Sequence, residues 1–194
     1  MAIVINGTAN TIAGLAVGGL PDGTVDTDML ATNAITSSLM PAGAILQVAQ
    51  AVKSDATSTN STGPTEVSSD LRASFSSLQS TSSKVLVTFN LYISQGDSSQ
   101  SFRFMRSVGG AAYGIIANAA GGDDDGTFTH WAGDGGAFLD VMTFSFLDSP
   151  STTSSVSYTP YWRVSGNTCY LNRGYSTAEA YKGISTTTIM EIAG

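Results

Sequence analysis

The chain has 194 residues, a formal net charge of −7, 42% apolar residues and only 12% charged ones. That balance excludes nucleic-acid binding through a basic phosphate-contacting surface, because the eight lysines and arginines are scattered and form no run. A single cysteine, Cys169, excludes an intrachain disulfide and a cysteine-built zinc site. Length suits one domain, or one domain with an extension. With so few charges, Ser, Thr, Asn and Gly must cover the surface, and the slightly positive mean hydropathy, +0.11, points to apolar surface shared between subunits. No basic segment followed by an apolar run opens the chain, so no secretory leader is expected. No window approaches the roughly 18 continuous apolar residues of a membrane span.

Residues 1 to about 40 are rich in Gly and small side chains, too apolar for a free tail and without a sustained helical period. "LPDG" (20–23) reads as a turn, Pro setting φ and Gly accepting positive φ. Thr24 or Thr27 is a candidate cap for a short helical turn, with Asp26 and Asp28 near its positive end. From Pro41 onward, apolar runs of strand length alternate with Ser/Thr/Gly/Asp loops. The expected strands are 43–52, 71–79, 84–94, 101–108, 112–118, 137–149, 155–165, 168–173 and 185–194. The clearest is "KVLVTFNLYIS", where Val85, Val87, Phe89, Leu91 and Ile93 share one face. Phe102 and Phe104 share a face opposite Arg103, Met142, Phe144 and Phe146 face one way, and Ile189 faces away from Met190 and Ile192. No ordinary helix fits between these runs. The fold class is all-β, an antiparallel β-sandwich of jelly-roll type at 41–194, preceded by an irregular attachment and oligomerisation segment at 1–40. Two long connections, 53–69 and 117–137, read as loops, the second being the longest irregular piece and the natural place for function.

Catalytic chemistry finds little support. His130 is the only histidine, sits in that long loop, and reads as an ordinary loop residue. Asp123, Asp124 and Asp125 in "GGDDDG" have the composition of a cation loop, with Asp134 and Asp140 nearby, but lack EF-hand spacing and its distal glutamate. They read as a solvated acidic tip, so neither metal nor cofactor is expected. The glycines of "GTANTIAGLAVGG" follow no strand–turn–helix frame for phosphate. Cys169 lies in a strand-like alternation and reads as a small buried hydrophobe. Aromatics outside the expected core faces are Tyr113, Phe128, Trp131, Tyr175 and Tyr181. Flat rings on polar loops suit contact with carbohydrate or protein, the ordinary alternative being that they pin loops to the sandwich.

Several segments together carry a resemblance. "IAGLAVGGLPDGTVDTDMLA" (12–31) resembles the N-terminal segment of tail-fibre and other virion proteins of bacteriophages, many of them marine or cyanobacterial. "PAGAILQVAQAVKSDATSTNST" (41–62), "STSSKVLVTFNLYIS" (80–94), "TFSFLDSPSTTSSVSYTPYWRV" (143–164), "LNR" (171–173) and "STTTIMEIAG" (185–194) resemble the compact C-terminal domain at the end of such fibres. The middle, 95–137, departs most, and no long shaft separates the anchor-like segment from the head. The resemblance implies a non-enzymatic virion component, a homotrimer assembled in the host cytoplasm, docked to other virion proteins through residues 1–40. Receptor-contact candidates on the loops are Asp123, Asp124, Asp125, Phe128, His130, Trp131, Tyr175 and Tyr181, facing a host surface glycan or protein. Trimer and anchor candidates are Leu15, Val17, Leu20, Val25, Met29 and Leu30. Ordering such a segment costs about 1–2 kcal/mol per residue, whereas hiding ~500 Å² of apolar surface per copy returns on the order of 12 kcal/mol. The competing readings are a head decoration or cement protein without a host ligand, and a polysaccharide depolymerase. The latter calls for paired carboxylates across a groove, and the acidic residues outside 123–125 are scattered.

Overall fold

A computed structural model describes residues 4–6, 8, 11–13, 36, 39–95, 98–117, 126–132, 139–175 and 182–194. The chain falls into two units, Met1–Leu39 and Met40–Gly194. In the first, β1 (Val4–Asn6) and β2 (Thr11–Ala13) form an antiparallel hairpin, with Ile5 opposite Ile12. The anchor candidates Leu15, Val17, Leu20, Val25, Met29 and Leu30, and the expected cap near Thr24 and Thr27, lie outside the described residues.

The second unit is the β-sandwich expected from the alternation. Its strands are β3 (Ile45–Lys53), β4 (Thr57–Thr59), β5 (Thr65–Glu66), β6 (Ala73–Phe75), β7 (Lys84–Gln95) and β8 (Ser98–Val108). They continue with β9 (Gly114–Ile116), β10 (Phe128–Ala132), β11 (Asp140–Asp148), β12 (Val156–Val164), β13 (Cys169–Leu171) and β14 (Ser185–Ile192). All pairings among the described residues are antiparallel. One sheet runs β3–β14–β7–β11, with β13 continuing the place of β14 along β7 and β4 outside it. The other runs β5/β6–β12–β8–β9/β10. Counted as eight strand positions in chain order, the sheets read 1-8-3-6 and 2-7-4-5, the arrangement of a jelly roll.

Two connections expected to be loops contain strands. β10 falls inside 117–137 and pairs along β8, Phe128 opposite Phe102 and His130 opposite Gln100. Its alternation is only five residues long and flanked by Gly and Asp, so its strand character comes from the free side of β8. Gly126 makes the entry possible, because a side chain there would collide with the Phe102 carbonyl. Thr127 N–H then donates to that carbonyl at 2.7 Å. β4 and β5 likewise lie in 53–69 and are too short to show a period.

Pro160 lies within β12, an interior strand, where a missing N–H normally breaks a ladder. Its carbonyl accepts from Val67 N–H at 3.0 Å, so its nitrogen also faces the β5/β6 side. There the neighbouring strand position is interrupted: β5 pairs with Tyr161–Trp162, β6 with Val156–Tyr158, and a 3-10 turn (Ser69–Leu71) fills the gap. The proline and the split strand fit each other.

The core lies between the sheets. Val85, Val87, Phe89, Leu91 and Ile93 of β7 are all buried, opposite Phe102, Phe104, Tyr158 and Trp162. Phe89 stacks on Phe104 across the sandwich at 4.3 Å between ring centroids. Phe144 tilts against Phe104 at 5.0 Å and stacks on Phe128 at 5.1 Å, and Phe128 stacks on Phe102 at 5.1 Å. A buried polar clasp joins the sheets at one end. Asp148 of β11 takes two hydrogen bonds from Arg106 of β8, at 2.7 and 2.9 Å, and one from the Tyr158 hydroxyl of β12 at 2.8 Å. Asn172 is buried at φ +59, a left-handed conformation that asparagine tolerates. Its amide donates to the Lys53 and Asp55 carbonyls at 2.8 and 3.1 Å and its oxygen accepts from Ser185 at 2.7 Å, fixing the junction between β13 and β14.

Phe104→Ala is expected to lower unfolding free energy by about 3–5 kcal/mol in urea titrations, because it empties the centre of the inter-sheet stack. Stability is also expected to fall at alkaline pH. Burial, reinforced by the Asp148 charge, raises the Tyr158 phenol above its ordinary 10.0, and burial raises the Cys169 thiol above 9.0. Above those ordinary values the unfolded chain releases protons that the folded protein keeps, so stability is lost as pH rises. The denaturation midpoint should be lower at about pH 10.5 than at about pH 8, with a shallower decline in Tyr158→Phe; a flat profile contradicts the assignment.

Candidate functional site: a cleft on one outer face of the sandwich

The outer face of the β5/β6–β12–β8–β9/β10 sheet carries the polar and aromatic chemistry. Registers place Ser74, Ser157 and Ser107 on one rung, and Glu66, Tyr161 and Arg103 on another. Arg163 lies opposite Ser101. Three of the eight basic residues, Arg72, Arg103 and Arg163, therefore belong to this side of an acidic chain.

Tyr113 organises the face. It follows the turn at Gly109 and Gly110, whose positive φ values of 59° and 77° carry the chain sharply out of β8. The Tyr113 hydroxyl shares a hydrogen bond with Ser157 at 2.8 Å, and its ring tilts against Tyr161 at 6.3 Å. The Arg72 guanidinium lies over the Tyr113 ring, 5.7 Å from its centroid. Glu66 holds that guanidinium in a two-pronged pair at 2.6 and 2.5 Å and accepts from Thr159 at 2.9 Å. Hydrogen bonding to Glu66 holds the Arg72 guanidinium firmly protonated. Burial, followed by the Glu66 and Tyr113 charges, raises the Tyr161 phenol against the opposing pull of Arg72.

Between β6, the β8–β9 turn and the start of β12 lies a cleft of about 380 Å³. Its walls are Arg72, Ser74, Phe75, Ser107, Gly110, Ala111, Tyr113, Ser155, Val156 and Ser157. The hydroxyls both donate and accept, the guanidinium only donates, and the ring offers a flat apolar surface. None of the lining residues carries a carboxylate, so the cleft has no acid–base pair for glycoside hydrolysis. Among the described residues no three His, Cys, Asp or Glu side chains gather to hold a metal ion. No helix among them is long and apolar enough to cross a membrane.

The residues singled out from the sequence distribute differently. Phe128 is not a loop aromatic: its register opposite Phe102 turns it inward, where it stacks on Phe102 and Phe144 against the core. His130 and Trp131 lie on β10 opposite Gln100 and Ser99, not in an irregular loop. Tyr175 meets Tyr170 edge-on at 5.8 Å, and Arg173 lies over the Tyr170 ring at 4.2 Å, away from the cleft. Asp123, Asp124, Asp125 and Tyr181 lie outside the described residues. Cys169 is buried, its thiol donating to Gln100 at 2.6 Å. Sequence reasoning named Tyr113 as an exposed aromatic but not Arg72, Tyr161 or the serines. Their signal was weak because they come from three separate segments that only the sheet register brings together.

No family model matches the chain, and no curated protein matches it. Among solved structures it is similar to that of the infectious bursal disease virus Gx strain, at 11% identity and TM-score 0.34, covering 76% of this chain and 36% of that one. It is similar to the T13 viral particle of the same virus at 12% identity and TM-score 0.33, covering 90% and 40%. For the VP2 subviral particle the values are 10% identity and TM-score 0.29, covering 76% and 38%. The chain thus spans about two fifths of the length of the solved structures it matches.

Proposed function

We propose that this chain is a non-enzymatic structural component of a bacteriophage particle, a homotrimeric short-fibre or tail-fibre element. Residues 1–40 dock it to other virion proteins, and its β-sandwich head binds a saccharide of the host surface. The cleft under Tyr113 carries this reading. Its size suits one or two sugar rings. Its serine and tyrosine hydroxyls match the mixed donors and acceptors of a polyol, Arg72 adds the guanidinium N–H groups that Glu66 does not take, and the tyrosine ring suits a sugar's apolar face. Without a carboxylate among its walls the cleft suits binding rather than cleavage. The segments resembling phage fibre proteins support the virion setting.

A head decoration protein without a host ligand is the second reading. It is favoured by the other sheet, whose outer face exposes Ile45, Val48 and Leu147 and suits packing whether or not the cleft is used.

The test is binding of fluorescently labelled protein to host cells and to purified host polysaccharide, comparing the unchanged chain with Tyr113→Ala. Loss of the stacking ring is expected to weaken binding about tenfold, worth about 1.4 kcal/mol, with the β fold retained by circular dichroism and no new reducing ends. Full binding by Tyr113→Ala would move the receptor contact away from the cleft, tested next by replacing Asp123, Asp124 and Asp125 with asparagine. No binding by the unchanged chain would favour the decoration reading, and new reducing ends would overturn the non-enzymatic one.

A further inference from the structure

We propose that the outer face of the β3–β14–β7–β11 sheet is the surface on which copies of this chain meet. The inference rests on the reading of the protein as a homo-oligomer and assigns the contact to the head rather than to residues 1–40 alone.

The register lines up Val48, Met190, Leu86 and Leu147 in one apolar row across all four strands. Ile45 and Ile192, also opposite one another, extend it at one end. These are not grazing exposures: Ile45 and Val48 are each 56% exposed and Leu147 45%. Farther along the same face, Val52 and Val141 are 49% and 53% exposed.

The polar residues between these apolar groups already bond to one another. Gln50 donates to Thr188 at 2.9 Å, Thr88 and Ser145 share a bond at 2.8 Å, and Thr143 donates to Asn90 at 3.0 Å. Each of these bonds runs sideways between neighbouring strands, so covering the face strands few polar atoms.

Charge points to a second copy as the occupant. Among the described outward positions of these four strands, Lys84 is the one charged residue. Asp148 and Glu191 are buried at inward-facing register positions, and Asp140, exposed at the start of β11, alternates to the same side. Glu191 is fully buried, accepting from Gln47 at 2.6 Å and from Gln79 N–H at 2.7 Å. Molecules that each carry a net charge of −7 repel one another, and association is cheapest on a face free of carboxylates. Area agrees: four strands about 4.8 Å apart and nine residues at ~3.3 Å rise span about 19 by 30 Å, or ~570 Å² before side-chain relief. That approaches the ~800 Å² per partner of a stable interface.

The test is light scattering on the full chain and on the double variant Val48→Glu/Leu147→Glu, with circular dichroism melts of both. Ser145→Cys adds a thiol midway along β11, the edge strand of the face, where the buried Cys169 does not compete for maleimide. The expected result is an oligomer that falls to the 19.9 kDa monomer in the double variant with its melt preserved. Ser145→Cys should label about tenfold more slowly in the oligomer than in the double-variant background. An oligomer that persists in the folded double variant overturns this face and leaves the oligomeric reading standing. A monomeric unchanged chain overturns both. Should the double variant fail to fold, rapid labelling of Ser145→Cys in an intact oligomer overturns the proposal and protection in that oligomer supports it. Protection in a monomer assigns the face to residues 1–39 and also overturns it.

Discussion

The sandwich is held at its centre by the stack of Phe89 on Phe104. These rings belong to β7 and β8, consecutive in the chain but in different sheets. Their contact fixes the spacing of the layers where Phe144, Phe128 and Phe102 continue the aromatic packing. Once β7 and β8 are locked face to face, the remaining strands have few places to go. Each pairs beside one of them or beside a strand that does, and burial of alternate residues sets the register.

Buried polar groups then select among the arrangements that hydrophobic packing alone would allow. Asp148 is satisfied only when β11 stands over Arg106 and Tyr158 of the opposite sheet. Asn172 is satisfied only when β13 ends beside Lys53, Asp55 and Ser185. A shift of either strand leaves buried donors and acceptors unpaired, which costs more than the bonds themselves contribute. Pro160 acts from the other direction, forbidding a continuous neighbour and so keeping β5 and β6 apart.

The two outer faces diverge because the same alternation that fills the core leaves different residues pointing outward. On one sheet these are arginines, serines and tyrosines, folded over by the Tyr113 turn into a cleft. On the other they are isoleucine, valine, leucine and self-paired hydroxyls. In a chain with so few charges, where the charged side chains fall sets the chemical character of each face. One face is polar and folded into a cleft, and the other is flatter and more apolar.

The sequence by itself determined that the second unit is all-β, which residues of β7, β8 and β11 share the inward face, and that Cys169 is buried. These follow from period-two alternation, a local property of the chain. It did not reveal β10, whose five residues become a strand only because β8 offers them a free edge. Nor did it show that Phe128 belongs to the core, since that depends on its register against Phe102. The cleft was equally hidden: Arg72, Tyr113 and the Ser157–Tyr161 stretch of β12 are separated by tens of residues and meet only across a strand order set by long-range pairing. Local patterns settle which face of a strand is buried; which strands become neighbours, and therefore which outward side chains form a surface together, is decided only when distant segments pack.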